Sequence, residues 1–375
     1  MNGVRRVLHC VGYMKKAGAE TFIMNMYRRI DPKVIQFDFL CCEQKAGEYD
    51  QEIKDRGGSI SYVDFNTNSK CKILKYFTRI VRYKAAFDKY DDDTIVHIHG
   101  HHAFDILLIA IAANLSNKEV IIHSHNASAE SHLTLHKLSR ILLIHLFRNR
   151  LACSQMAGEW MFGKSSFTII QNGIEIDKYA FSKTNRERLR GKYKLDNKFV
   201  IGHIGRFEDQ KNHEFLVQVF YEYHKVNNES VLLLIGDGGL MTTIKKKTHE
   251  YGIEDSVIFL GVRDDVSEFY SAMDTFIFPS KYEGLGIVAV EAEAADLPCI
   301  FSSVLPTDID ITAKVMRCNL DSPISKWIET LESCRIRAIN EKRMDNSKLI
   351  RKAGFDIQDC SRRLAQVYLN IKRRN

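Results

Sequence analysis

The chain reads as an α/β protein made of two doubly wound parallel-sheet domains. Three observations predict this. Its 375 residues exceed what a single small domain uses. Short apolar strand candidates alternate with helical patterns of ten or more residues, which implies parallel pairing with right-handed crossovers. The alternation runs twice, and a polar stretch at 174–197 separates the two series.

The first series opens with Arg5–Val11, which reads as a buried strand. Gly18 then begins an apolar-periodic helix reaching about Ile30. Strand candidates follow at Val34–Cys41, Ser59–Asp64, Thr94–Ile98 and Val120–His123, with helical patterns at about 47–56, 70–87, 103–115 and 132–149. A short pair, Leu151–Ser154 and Phe167–Ile170, ends at Asn172-Gly173. The second series holds Phe199–Ile204, Val231–Ile235, Val257–Leu260, Thr275–Phe278 and Cys299–Ser302, again with helices between. The expected domains are 1–175 and 176–355. A C-terminal helix at about 356–373 is expected to pack back on the first.

Composition narrows the classes. A 45% hydrophobic fraction suffices for large cores, and a net charge of +7 favours anionic partners without choosing one. Nine scattered cysteines with no CxxC pair read as reduced thiols rather than a disulfide or zinc framework. Met1 to Arg6 lacks the apolar core of a signal peptide, and the runs at Ile106–Ala113 and Ile141–Phe147 are too short to span a bilayer. A cytoplasmic location is the expectation. No basic stripe interleaved with aromatics appears, so nucleic acid is not an expected partner.

The chemistry concentrates after the strands, where doubly wound sheets bind ligands. Phe278 to Glu291 runs strand, glycine-spaced loop, apolar helix, with Glu283 and Glu291 eight positions apart. Amides from Gly284 to Ile287 face the start of that helix, which attracts anions. Carboxylates accept from sugar hydroxyls, so the stretch suits a phosphorylated ligand bearing hydroxyls. A buried βα unit with a capping glutamate is the plainer alternative. Arg206 and Lys211 lie five apart on the loop after Phe199–Ile204, as a diphosphate clamp or a solvated charge pair. Gly18, Gly236-Asp237-Gly238 and the turn at Arg263 are weaker signals. The three-glycine dinucleotide fingerprint is missing, which disfavours a nicotinamide dehydrogenase.

Taken together, Gly18-Ala19-Glu20, His123-Ser124-His125-Asn126, Asn172-Gly173-Ile174, Gly205-Arg206, Gln210-Lys211-Asn212, Gly236-Asp237-Gly238 and Glu283 through Glu291 resemble one family. It is the retaining glycosyltransferases of family 4, whose GT-B architecture is two facing Rossmann-like domains with a cleft between them. The match spans roughly residues 5–310. It departs at Ala17, where many members carry a glycine.

The resemblance implies a role for each matching residue. Arg206 and Lys211 would neutralise the donor diphosphate. Glu291 would hold the nucleotide ribose, and Glu283 the sugar hydroxyls. The amides of Leu285, Gly286 and Ile287 would bind phosphate oxygens, with Gly18 approaching the diphosphate. Arg263 would mark the base-binding turn, and His125 would sit near the donor sugar. It further implies transfer with retention from a nucleotide-diphosphate sugar, most often a UDP-sugar, without a catalytic metal or other cofactor. The acceptor would be a glycan or lipid-linked oligosaccharide, as in bacterial capsule and exopolysaccharide synthesis.

Four alternatives stand beside it. His97, His99, His123 and His125 form two HxH pairs that suit a metallohydrolase, but no companion carboxylate accompanies them. A sugar-nucleotide epimerase, a glycoside phosphorylase and a non-catalytic sugar-nucleotide binding protein share parts of the pattern. Finally, Lys70, Lys72, Lys75, Arg79, Arg82 and Lys84 fall in a stretch free of acids, beside Ile73, Phe77, Ile80 and Tyr83 at helical spacing. That helix either packs its apolar stripe on the sheet or rests on anionic lipid as a peripheral membrane contact.

Overall fold

The computed structural model describes residues 3–64, 71–127 and 133–372. Lys70, the first residue of the expected helix at 70–87, lies outside them. The chain divides into two compact units. One is Met1–Gly173 with Ile357–Asn375, the other Ile174–Asp356. Each is an open parallel α/β sheet, as the two alternating series require.

In the first unit the strands are β1 (Arg5–Val11), β2 (Ile35–Cys41), β3 (Ile60–Tyr62), β4 (Ile95–Gly100), β5 (Glu119–Ser124), β6 (Asn149–Ala152) and β7 (Thr168–Ile169). Between them run α1 (Gly18–Arg29), α2 (Asp50–Asp55), α3 (Lys72–Phe87), α4 (Ala103–Leu115), α5 (Leu133–Leu146) and α6 (Gln155–Phe162). The sheet order is β3-β2-β1-β4-β5-β6-β7. β1 and β2 are buried almost throughout because helices cover both sheet faces. One face packs Val7, Phe37, Phe39 and Ile95 against Phe22, Met26 and Tyr27 of α1. The other packs Leu8, Val96, Ile98 and Ile122 against the apolar α4.

The second unit contains α7 (Ile176–Tyr179), α8 (Lys183–Lys192), β8 (Phe199–Ile204), α9 (His213–Val226), β9 (Ser230–Ile235) and α10 (Met241–Glu250). Next come β10 (Val257–Phe259), α11 (Val266–Ala272), β11 (Thr275–Phe278), α12 (Ile287–Ala294), β12 (Cys299–Ser302), β13 (Val315–Cys318), α13 (Ile324–Asn340) and α14 (Ser347–Lys352). The order is β10-β9-β8-β11-β12-β13. A last helix, α15 (Ile357–Asn370), returns to the first unit and packs Ile357, Leu364 and Tyr368 into its core.

Two features differ from the sequence reading. β13 was not foreseen, because the edge strand Val-Met-Arg-Cys is only partly buried and carries Arg317. The polar stretch 174–197 carries α7 and α8, which the sequence reading did not foresee, and its Arg186 and Arg190 belong to a network around the buried Asp274. Arg186 Nη2 lies 2.5 Å from one Asp274 oxygen, and Arg190 Nη1 lies 3.0 Å from the other. The Val200 amide donates to the same carboxylate at 2.8 Å. Arg190 also donates to the carbonyls of Leu195, Lys198 and Ala272. A charge-rich helix is thereby fastened to the start of β8 and β11.

Both sheets reverse strand order at one point, between β1 and β4 and between β8 and β11. Crossovers leave in opposite directions there and open a crevice at the carboxyl ends of the strands. That constraint, rather than loop composition, sets where ligand-binding residues gather. For the Asp274 network the expected outcome is a large stability loss in Asp274→Ala, about 3–5 kcal/mol in chemical denaturation, because Arg190 stays buried without its carboxylate. A loss below about 1 kcal/mol refutes the role.

Candidate active site

The carboxyl edge at the β8–β11 reversal is built from two loops tied together. After β8 the chain passes Gly205 and Arg206, makes a 3₁₀ turn at Asp209–Lys211 and enters α9 through Asn212, which is left-handed at φ 58°. After β11 it runs from Pro279 to Gly286 and enters α12. Asn212 donates to the Pro279 carbonyl at 3.2 Å, and the Lys281 amide donates to the Gln210 carbonyl at 2.9 Å. Gln210 Nε2 donates to the Tyr282 carbonyl at 2.9 Å and to Glu283 at 3.2 Å. An outer ion pair, Lys281–Asp209 at 2.6 Å, closes the same seam.

At its centre lies the Lys211–Glu283 pair, with Nζ 2.6 Å from Oε1. Both side chains are largely buried, at 16% and 8% exposed. Lys211 also sits 5.1 Å from the Phe278 ring centroid. The structure thus joins two residues 72 positions apart in sequence. Arg206 does not join them. It is half exposed and paired with Glu208 at 2.6 Å. The expected two-cation clamp is one buried cation already engaged and one exposed cation held by a surface carboxylate.

Gly286 has φ 85° and caps the start of α12. A Cβ there would come within 2.7 Å of Phe278 Cε1, so the turn that exposes the first α12 amides requires glycine. Leu285 is buried, and Gly286 and Ile287 are partly open. Gly236, at the end of β9, has φ 136°, and its added Cβ would fall 2.1 Å from the Gly205 carbonyl oxygen. The β8 and β9 turns therefore meet backbone to backbone.

Glu291 lies on the second turn of α12, as its spacing predicts, and is buried. Tyr270 donates to it at 2.7 Å, and Tyr179 donates as well. Burial raises its pKa, and the two tyrosine hydroxyls oppose that shift. Neither tyrosine was singled out in the sequence, because their partner lies on another element. Arg263 forms a bidentate pair with Asp265 at 2.7 and 2.8 Å and packs over Phe269. In the first unit Gly18 is exposed at the start of α1, with no atom within 4 Å of an added Cβ.

His125 follows β5 at the carboxyl edge of the first sheet and is half buried. Its Nε2 lies 2.8 Å from His99 Nδ1, while its Nδ1 meets no partner among the described residues. Burial first, then the charge of His101, lowers its pKa to about 3. His97 is fully buried and bonded to the Tyr368 hydroxyl at 2.7 Å. His9, a β1 residue opposite His97, joins the group and was not foreseen.

With this geometry in place, the comparisons with known proteins define the class. The sequence model described as glycosyl transferases group 1 matches residues 185–309. The putative glycosyltransferase EpsF of Bacillus subtilis is 31% identical over 97% of this chain and 96% of its own. An Escherichia coli enzyme named UDP-Gal:alpha-D-GlcNAc-diphosphoundecaprenol alpha-1,3-galactosyltransferase is 29% identical over 58% of this chain and 59% of its own. Among solved structures, Anabaena HepE in complex with UDP superposes with a TM-score of 0.77 at 16% identity, covering 98% of this chain and 100% of that one. The fold is therefore that of GT-B glycosyltransferases. The chain belongs to the group 1 glycosyl transferases.

One further α12 residue has a measurable signature. Glu293 was absorbed into an apolar helix on sequence grounds, yet its Oε2 accepts the Ile311 and Thr312 amides at 3.1 and 2.6 Å. Burial pushes its pKa up to about 8. A carboxyl raised above its unfolded value stabilises fully below about pH 4.5, and that contribution is lost as pH rises toward 8. Glutamine mimics the protonated acid. Relative to wild type, Glu293→Gln is expected to gain stability steadily from pH 5 to pH 8, by a few kcal/mol in total. Parallel stability curves for the two proteins across that range refute the assignment.

Proposed function

We propose that this protein is a retaining glycosyltransferase that uses a nucleotide-diphosphate sugar, a UDP-sugar in the first instance, as donor. The observation that carries the reading is the buried Lys211–Glu283 pair beside the glycine-capped start of α12, at the strand reversal of the second unit. A cation, a carboxylate and free amides at one edge suit a diphosphate joined to a hydroxyl-rich sugar. The UDP complex of HepE and the UDP-Gal donor in the E. coli enzyme's name support the choice of nucleotide.

In this reading Arg206 and Lys211 neutralise the diphosphate. The Arg206–Glu208 pair is exposed and worth little, so an incoming phosphate displaces the carboxylate at small cost. The amides of Leu285, Gly286 and Ile287 take phosphate oxygens. Glu291 keeps lone pairs beyond those its two tyrosines occupy, and these accept from ribose hydroxyls. Glu283 accepts from donor-sugar hydroxyls, His125 meets the donor sugar, Gly18 allows close approach of the diphosphate, and the Arg263 turn receives the base through its backbone. As the glycosidic bond breaks, negative charge builds on the diphosphate. Fixed cations and amides stabilise it without a metal. The leaving phosphate oxygen then takes the acceptor proton on the same face, which gives retention.

Incubation with a panel of UDP- and GDP-sugars, with and without acceptor, tests the reaction class. Transfer only in the presence of acceptor is expected. Donor conversion without acceptor, or phosphate-dependent donor formation, refutes it in favour of an epimerase or phosphorylase. Within that assay, Arg206→Ala and Lys211→Ala are each expected to lower turnover about 10²- to 10³-fold with the fold intact by circular dichroism. Near wild-type turnover in either removes that residue from the mechanism.

The proposed acceptor is a glycan or a lipid-linked oligosaccharide of surface polysaccharide synthesis, met by a cytoplasmic enzyme resting on anionic membrane. The E. coli enzyme's diphosphoundecaprenol substrate supports this class. So does the surface of the first unit. Only Tyr83 and Phe87 of α3 are buried, while Ile73 is 79% and Phe77 62% exposed. On the same side of the sheet α5 exposes Leu138, Ile141, Leu142 and Leu146. Arg79, Arg82 and Lys84 pair with Asp105, Asp64 and Asp88, but Lys72 and Lys75 have no acidic partner among the described residues. No helix among the described residues is long and apolar enough to cross a membrane. Sedimentation with anionic vesicles is expected at low salt and lost at high salt. It should weaken when Lys72, Lys75, Arg79 and Arg82 become glutamine, by about 1 kcal/mol per charge. Absent binding, or binding unchanged in that variant, overturns membrane docking.

A further inference from the structure

Five imidazoles crowd the strand reversal of the first unit, and the proposed reaction uses only one. His9 stands on β1, His97 and His99 on β4, His123 on β5, and His125 just beyond it. Strand register sets His9 beside His97 and His99 beside His123. Neighbouring ring centroids lie 4.1 to 5.6 Å apart. Three of the rings form a chain. His9 Nδ1 is 2.9 Å from His99 Nε2, and His99 Nδ1 is 2.8 Å from His125 Nε2. Its two ends, His9 Nε2 and His125 Nδ1, are buried atoms without a partner among the described residues.

Each nitrogen–nitrogen contact holds one proton, and each neutral ring carries one N–H. The three rings must therefore all donate in the same direction. If donation ran inward, His9 would carry an N–H at Nε2, packed among Phe37, Phe39 and Tyr368 with no acceptor. Either direction leaves one buried N–H unmet by the described residues, at a cost. Outward donation puts it on Nδ1 of His125, which is partly exposed just past β5 where a ligand can meet it, and leaves only a bare lone pair on the enclosed His9.

We propose that His9 and His99 are positioning residues that lock His125 in its Nδ1–H tautomer, so that it donates a hydrogen bond to the donor sugar or its diphosphate. This rests on the reading of His125 given above. A neutral imidazole donor held in place stabilises charge building on the leaving group with no reorganisation. A metal ion is the competing occupant, since nitrogens of His99, His123 and His125 all lie within 4.8 Å of one another. The chain contacts argue against it. Two ligands of one tetrahedral ion at about 2.05 Å stand about 3.3 Å apart, farther than nitrogens sharing a proton.

Imidazole-nitrogen NMR on the full chain, with labelled histidine assigned by single substitutions, reads the tautomer directly. His125 is expected to be protonated at Nδ1. His99→Phe should give a mixture of His125 tautomers and lower kcat about tenfold, with donor KM little changed. His99→Asn, whose side-chain amide occupies the place of Nδ1–H, should restore both. Protonation of His125 at Nε2 in wild type, or a tautomer unchanged in His99→Phe, overturns the proposal. So does stoichiometric Co²⁺ binding with an imidazole-ligand spectrum that His99→Phe abolishes. His125→Ala with normal turnover would instead refute the donor-sugar role of His125, and the tautomer measurement on wild type and His99→Phe would still decide the chain.

Discussion

The reversal of strand order is the constraint on which the rest of the molecule depends. Parallel strands need helical crossovers, and right-handed crossovers starting from a central strand must diverge to opposite faces. In each unit that divergence leaves two adjacent strand ends uncovered: β1 and β4 in the first, β8 and β11 in the second. Everything of chemical interest follows from how those openings are lined. The second unit fills its opening with a lysine–glutamate pair and amides. The first fills its opening with imidazoles. One is charged and tied to loops, the other neutral and built into strands.

The two linings solve the problem of burying polar groups differently. Lys211 and Glu283 sit as an ion pair within a largely buried seam, and Gln210 donates to the second Glu283 oxygen. A buried pair of this kind contributes little net stability, since desolvation offsets much of the attraction. Its value lies in fixing two loops that sequence places 72 residues apart. The imidazoles take the other course and give up charge. Burial lowers the pKa of His97, His99 and His123 well below the usual value, so they stay neutral. His123 finds no partner for either nitrogen among the described residues, at zero exposure. Such groups cost about 1–3 kcal/mol each when unsatisfied. Selection for stability alone would replace them with leucine or valine.

How much of this was legible in the sequence follows from which interactions are local. Strand and helix alternation is a local pattern, and β1, β8, β11 and β12 fall at the residues that their apolar runs mark. Gly286 and Glu291 were legible for the same reason, because helix start and helix spacing are short-range features. Partners across elements were not. Nothing near Glu291 announces Tyr179 or Tyr270, and nothing near Lys211 says that Glu283 holds it. His9 escaped notice as a single histidine in an apolar strand, until sheet register put it opposite His97. In the stretch 174–197 the partners are again remote. Arg190 is buried, and its charge is compensated by Asp274, 84 residues away.

The apolar side of α3 shows the limit of periodicity as evidence. A stripe at helical spacing is indifferent to whether it meets the protein's own sheet or some other surface. Here the two halves of one stripe diverge. Tyr83 and Phe87 enter the core beneath α4, whereas Ile73 and Phe77, about two to four turns earlier, stay in the open. A helix that only needed to cover the sheet would lose nothing by carrying polar residues at those two positions. Their exposure beside Lys72 and Lys75, which have no acidic partner among the described residues, places apolar area and positive charge on the same end of one helix. An anionic lipid surface rewards that combination, because it offers apolar and charged layers within a few ångströms of each other. The chemistry proposed for the second unit needs no such surface. It is the proposed acceptor that would require one.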